Sequence, residues 1–459
     1  MTQPQHLLNS GDSELPAIYD RKPEAELLCP PRDIFDFEDA FLKLEKFSNT
    51  ISDRKLLRKS IVEDLKNRRC SGMATLEKCF REQPNSAHRL VHSYTWLTDC
   101  IITHIWFIAG NILHASKNRK TTNQLSILAV GGYGRGEMAP YSDVDILFLK
   151  SKIRSRYIES IIETILYLLW DLKLKVGHSS RTIKECLSLG KEDYTIRTTM
   201  LEHRHVCGEK KLSKDLERRL WTELFSGTAR EFIEAKLRER ENRHKKQGGQ
   251  RYMVEPNVKE GKGGLRDLHS LFWIAKYVHK TSKLSDLISL GVFRPEEHRI
   301  FLRAERFLWA VRSHLHIISS RAADHLRFDL QVEVARCMGY SDQSGRRAVE
   351  IFMQDYFRHA TAVGDLTRIF LTDLEASHAK AEPLLEKIFR KRPKVRKDYT
   401  VINNRLSIKS PDSFLNQPLN LLRLFEEALR TGLLIHPDAM RLVSSNIKLL
   451  DDKMRKDPE

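Results

Sequence analysis

Asp143 and Asp145 stand two residues apart in the segment 141–150, Tyr-Ser-Asp-Val-Asp-Ile-Leu-Phe-Leu-Lys. A strand alternates its side chains, so both carboxylates fall on one face. Ten residues separate the first of them from Gly132, within the run Gly131-Gly-Tyr-Gly-Arg-Gly136 that closes the apolar stretch 125–130. Paired carboxylates beside a turn of exposed backbone N–H groups can hold Mg²⁺ and a triphosphate together. A Walker loop requires Gly-Lys-Ser/Thr, and here Glu137-Met138 follow instead. The dinucleotide fingerprint requires Gly-x-Gly-x-x-Gly opening a long helix, a spacing that 132–136 lacks. Metal-dependent nucleotidyl transfer remains, in which the turn takes the β- and γ-phosphates and the aspartates hold Mg²⁺ at the α-phosphate. A plain turn and a solvated edge strand would account for each half separately. The following Ile146-Leu-Phe-Leu149 reads as a buried strand, however, where two carboxylates without a cation are costly.

The elements that must position these groups are legible around them. Apolar residues recur at helical spacing over 36–116, leading into a first strand at 125–130 and a second carrying the aspartates. A strongly apolar helix is expected at 157–172, a short strand at 174–179, and helices at 182–189 and 194–206. From about residue 212 no strand pattern stands out: a charged helix at 214–247, a glycine-punctuated loop at 259–268, then amphipathic helices at 269–278, 296–320, 330–338, 345–379 and 418–430. The expected class is α+β, a small mixed-sheet nucleotidyltransferase core with flanking helices followed by an all-α domain. The divisions are a tail over 1–33, the core with its N-terminal helices over 34–210, a helical substrate-binding domain over 211–380, and a linker with terminal helices over 381–459.

The 459 residues carry 78 Lys+Arg against 61 Asp+Glu, a net charge of +17 that favours anionic partners. Much of the excess sits at 236–251 and 389–397, read as a solvated helix face and a basic linker, or else as a track for RNA. Seven cysteines without a Cys-x-x-Cys pair fit neither a disulfide framework nor a zinc site, which points to a reducing compartment. The first residues lack the basic and apolar regions of a signal peptide. The apolar stretch 100–113 is short and interrupted by His104 and Asn111, so it reads as a buried helix. A cytoplasmic protein without a membrane partner is expected.

Gly131-Gly132 with Asp143-Val-Asp145 resembles the signature of the nucleotidyltransferase superfamily that includes DNA polymerase β. The fuller string 129–149 resembles one branch, the bifunctional uridylyltransferase/uridylyl-removing enzymes that act on the nitrogen-regulatory PII protein. Supporting stretches are 169–182, 255–267 (Glu-Pro-Asn-Val-Lys-Glu-Gly-Lys-Gly-Gly-Leu-Arg-Asp), and 307–316 with 326–331; the resemblance runs from about residue 35 to the end. It implies transfer of UMP from UTP to a tyrosine of PII with release of pyrophosphate. Asp143 and Asp145 are then the catalytic Mg²⁺ ligands, and Gly131, Gly132, Ser142 and Arg135 bind the nucleotide, Arg135 at the β- or γ-phosphate. The second glycine loop, with Lys259, Lys262, Gly263, Gly264 and Arg266, either closes over the nucleotide or receives the protein substrate. In the blander reading it starts the next helix, with Asp267 as cap.

Two departures from that family matter. Many superfamily members have serine in place of Gly132 and a third carboxylate on the next core strand. The segment 174–179 offers only Lys175, His178 and Ser179, so the third ligand is unassigned and His178 is either near the metal or structural. The family also carries a His-Asp phosphohydrolase and glutamine-sensing domains after the helical region. This sequence has no His-Asp dipeptide and stops at Glu459. The removing activity is accordingly expected to be absent from it, and a catalytically silent PII-binding remnant is the reading from another class.

Overall fold

The computed structural model describes residues 26–114, 124–151, 155–250, 252–281, 285–378, 395–402 and 405–449. Most of the expected tail 1–33 and of the basic segment 389–397 lies outside them. Two compact units form: Met1–Leu284 with Arg299–Thr361, and Ser285–His298 with Ala362–Glu459. The helices between 211 and 284 thus join the core unit; the chain does not divide at 210.

The first unit is built on a four-stranded mixed sheet of order β3-β2-β1-β4. The strands are β1 (Leu125–Ala129), β2 (Val144–Lys150), β3 (Val176–Thr182) and β4 (Arg204–Gly208). All of β1 is buried, and β2 is buried except at Asp145 and Lys150, so both faces of the central pair are covered. β1 runs antiparallel to β2 and β4, while β2 and β3 are parallel. Parallel neighbours need a crossover, and the helix Arg156–Asp171 supplies it by burying Ile158, Ile161, Ile165, Leu168 and Leu169. β3 ends in a capping box, where Thr182 and Glu185 cap one another's backbone N–H at the start of Ile183–Glu192.

β4 corrects the expected helix 194–206. The helix Tyr194–Leu201 stops, and 204–208 pairs with the free edge of β1. An unpaired edge beside a buried strand leaves backbone groups unsatisfied, and that demand outweighs helical spacing. The central helix Ala87–Ile108 buries Leu90, Leu97, Ile101 and Ile105. Extended to Leu113 it is long and apolar enough to cross a bilayer, but 61% of its most apolar window is buried inside the fold.

The second unit departs from the expectation that no strand follows residue 212. β5 (Tyr399–Ile402) and β6 (Arg405–Ile408) pair antiparallel, and β7 (Leu434–Ile435) lies parallel to β6. With the helices Asn420–Thr431 and Pro437–Asn446 they enclose Tyr399, Leu406, Phe414, Leu421, Leu424 and Val443. Strands of two to four residues are too short to display a period of two. The class remains α+β, a small mixed-sheet core with a largely helical remainder.

Candidate active site

The glycine run does not stay an open turn. Gly131 takes a left-handed φ of 60°, a helix follows over Gly131–Arg135, and Gly136 at φ 79° ends it. Left-handed backbone at both ends explains two of the glycines. β2 then returns with Asp145 against that turn: a methyl on Gly131 would lie 3.3 Å from Asp145 Oδ2. Across the parallel pair the register partner of Asp145 is Gly177, where a methyl would collide with Asp145 Oδ1. The carboxylate is therefore seated between two stretches of backbone that must lack side chains. Sequence reading missed Gly177, although a glycine inside a strand is itself a sign of close approach.

Asp145 is half-buried and Asp143, one residue ahead of β2, is exposed. Burial, and then the charge of Asp143, push the Asp145 carboxyl above its ordinary range, while the Lys259 ammonium opposes them. Two carboxylates that repel one another suit a divalent cation. Mg²⁺ commonly takes one or two protein carboxylates, completing its shell with phosphate oxygens and water. Among the described residues no group of three His, Cys, Asp or Glu gathers to hold a metal, and the site stays at two aspartates. Ser142 lies in the turn before them, its N–H bonded to Ala139 O at 3.1 Å.

His178 does not join the carboxylates. It registers with Ile146 and so lies on the opposite face of the sheet from Asp145, its ring 6.2 Å from that of Trp170. Arg135 is corrected as well. Its Nε donates to Glu137 (2.8 Å) and its NH1 to both oxygens of Glu202 (2.7 and 2.8 Å), so the guanidinium is committed beneath the turn and not to a phosphate. Tyr133 is anchored in the same way, its hydroxyl donating to Asp99 at 2.7 Å, where Arg204 also donates at 2.8 Å. These buried pairs fix the turn from below. Beside them lies a cavity of about 430 Å³ lined by Arg135, Glu137, Glu202, His269, Lys276 and Glu305. Burial and the charge of Arg135 push the His269 imidazole down, and burial and the charge of Glu137 push the Glu305 carboxyl up.

The second glycine segment is fixed mainly by backbone. Val258 N–H donates to Asp324 O (2.8 Å) and Leu326 N–H to Pro256 O (2.9 Å). Gly263, at φ 83°, presses on Ala360 O, and Gly264 begins the helix Leu265–His279 with no room for a side chain against Val258 O. Helix Leu265–His279 therefore starts earlier than expected, and Asp267 sits in its first turn without being the cap. The fully buried Asp267 accepts from Gly263 N–H (2.9 Å), His244 (2.9 Å), Arg240 (3.3 Å) and Arg243. Burial alone would raise its carboxyl, but the His244 hydrogen bond and the arginine charges hold it at about 2. Arg266 pairs with Glu260 at 3.2 Å, and Lys262 is half-buried. Lys236 and Lys245 pair with Glu239 and Glu241, so with Arg240, Arg243 and His244 five of the basic residues of 236–251 are engaged with carboxylates of the fold.

Sequence reading also left Asp324, Arg312 and His316 unassigned. Asp324 accepts from Arg312 Nε at 2.8 Å and lies 3.3 Å from His316 Nε2, while His316 Nδ1 meets Pro140 O, three residues ahead of Asp143. A polar i,i+4 pair on the buried stretch 308–316 of the amphipathic helix Pro295–Ser319 was the available signal.

Residues 231–371 match the family model described as GlnD PII-uridylyltransferase. The chain is 54% identical over 426 residues, 93% of its length, to a bifunctional uridylyltransferase/uridylyl-removing enzyme of Ruegeria pomeroyi, covering 47% of that protein. Enzymes of the same description from Cereibacter sphaeroides and Novosphingobium aromaticivorans are 52% and 45% identical over 89% and 87% of the chain, each covered to 44%. The chain spans about half the length of the curated relatives it matches.

Proposed function

We propose that this chain, which carries the GlnD PII-uridylyltransferase domain over residues 231–371, transfers UMP from UTP to a tyrosine hydroxyl of a PII protein and releases pyrophosphate. The observation that carries the reading is Asp145 seated between Gly131 and Gly177 with Asp143 beside it. Asp143 and Asp145 would hold Mg²⁺, which when bound neutralises charge at the α-phosphate. The glycines of the turn let a triphosphate approach the backbone, and the pairs Arg135–Glu202 and Tyr133–Asp99 keep that turn in place before substrate arrives. The tyrosyl oxygen, releasing its proton to solvent, bonds to the α-phosphorus as the bond to the bridging oxygen of the pyrophosphate breaks.

Labelled UTP incubated with the chain and PII is expected to label PII. Asp143→Ala with Asp145→Ala is expected to lower the rate at least about a thousandfold, the ~4 kcal/mol asked of the metal site. Undiminished transfer by the double variant would sink the reading. Label that appears on RNA instead, with a steep salt dependence, identifies the other acceptor. PII binding without turnover by the wild-type chain identifies a silent remnant.

A further inference from the structure

A cation stands in the cluster that reaches Pro140, three residues ahead of Asp143: Lys259 lies by Asp324, which His316 links to Pro140 O. Lys259, from the second glycine segment, is close enough for its charge to act on Asp145. Its side chain is 31% exposed, and its ammonium stays 4.0 Å from Asp324, whose carboxylate already holds Arg312 at 2.8 Å. A lysine present only to complete an ion pair would close to about 2.8 Å. The backbone fixes where this one sits. Asn257 Oδ1 accepts from the N–H groups of Lys259 (3.0 Å) and Glu260 (2.7 Å), and Val258 is bonded to Asp324 O. His316 links the same cluster to Pro140 O, in the connection that leads to Asp143.

From this placement we infer that Lys259 grips the β- and γ-phosphates of the bound nucleoside triphosphate, with Arg312, Asp324 and His316 as positioning residues behind it. The inference rests on the transfer reading above and assigns the second glycine segment to the nucleotide rather than to the protein acceptor. As the α-phosphorus–oxygen bond breaks, its electron pair stays on the bridging oxygen of the pyrophosphate. Charge develops there without a proton transfer, and a fixed ammonium aimed at those oxygens stabilises it.

Titration calorimetry on the full chain with Mg²⁺ and, separately, UTP, UMP and inorganic pyrophosphate tests this. Lys259→Met is expected to weaken UTP and pyrophosphate about tenfold to a hundredfold, the worth of a charge-assisted hydrogen bond, and to leave UMP unchanged. Lys259→Arg is expected to retain most of the UTP affinity. Equal weakening of UTP and UMP together with a fall in Tm would show a structural lysine and overturn the assignment, as would unchanged UTP binding by Lys259→Met. A wild-type chain that binds no UTP overturns the transfer reading itself, and the role of Lys259 with it; that outcome is distinct from wild type and variant binding UTP alike.

Discussion

The two glycine-rich segments, 131–136 and 261–264, are similar in composition and differ in what presses on them. Around Gly131, and around Gly177 across the sheet, the close neighbour is the Asp145 carboxylate, a group with chemistry to perform, while Gly134 in the same run lies against the carbonyl of Glu202. Around Gly261, Gly263 and Gly264 the close neighbours are the carbonyls of Asn257, Ala360 and Val258, so chain lies on chain. A missing side chain makes room for a functional group at Gly131 and Gly177, and for tight packing at Gly134 and throughout the second segment. What the second segment sends toward the site is the lysine at 259, outside the glycines themselves.

Substitutions can break or sharpen that contrast. Gly177→Ala pushes the Asp145 carboxylate aside, and a misplacement near 1 Å is expected to cost about a hundredfold in transfer rate. Its Tm should stay near wild type, since β3 is an edge strand. Gly263→Ala combines a left-handed backbone with a collision against Ala360 O, and urea unfolding should show a loss of about 3 kcal/mol. If the first variant lost stability as the second does, or the second lost rate without stability, the distinction would fail.

Asp267 gives a smaller and pH-dependent effect. Its carboxyl is held at about 2 in the fold against about 3.9 unfolded, so it contributes stability above pH 4 that disappears as the pH falls toward 2. The contribution is about 2 kcal/mol. Asp267→Asn should lack that portion of the acid slope in unfolding measured from pH 6 downward, and an unaltered slope would remove the carboxylate from the account. Smallest of all, His178→Ala should change transfer by less than about 0.5 kcal/mol, as a surface ring does. A larger loss would return β3's histidine to the site.

Local pattern alone determined a good deal about this protein. The strand character of 125–130 and 144–150, the glycines between them and the apolar crossover helix all repeat over a few residues, and the sheet places these elements as that spacing requires. Register and long-range closure decided the rest. Gly177 faces Asp145 because β2 and β3 run parallel after a sixteen-residue helix, and no spacing along the chain encodes which residues align. Arg135 turned from an expected phosphate ligand into a buried anchor because Glu202, sixty-seven residues away, lies beneath it. Lys259 came to lie beside Asp324 through a backbone pairing of 256–258 with 324–326. β4 and the small C-terminal sheet exist because free edges demand partners, and their few residues carry too little periodicity to announce it.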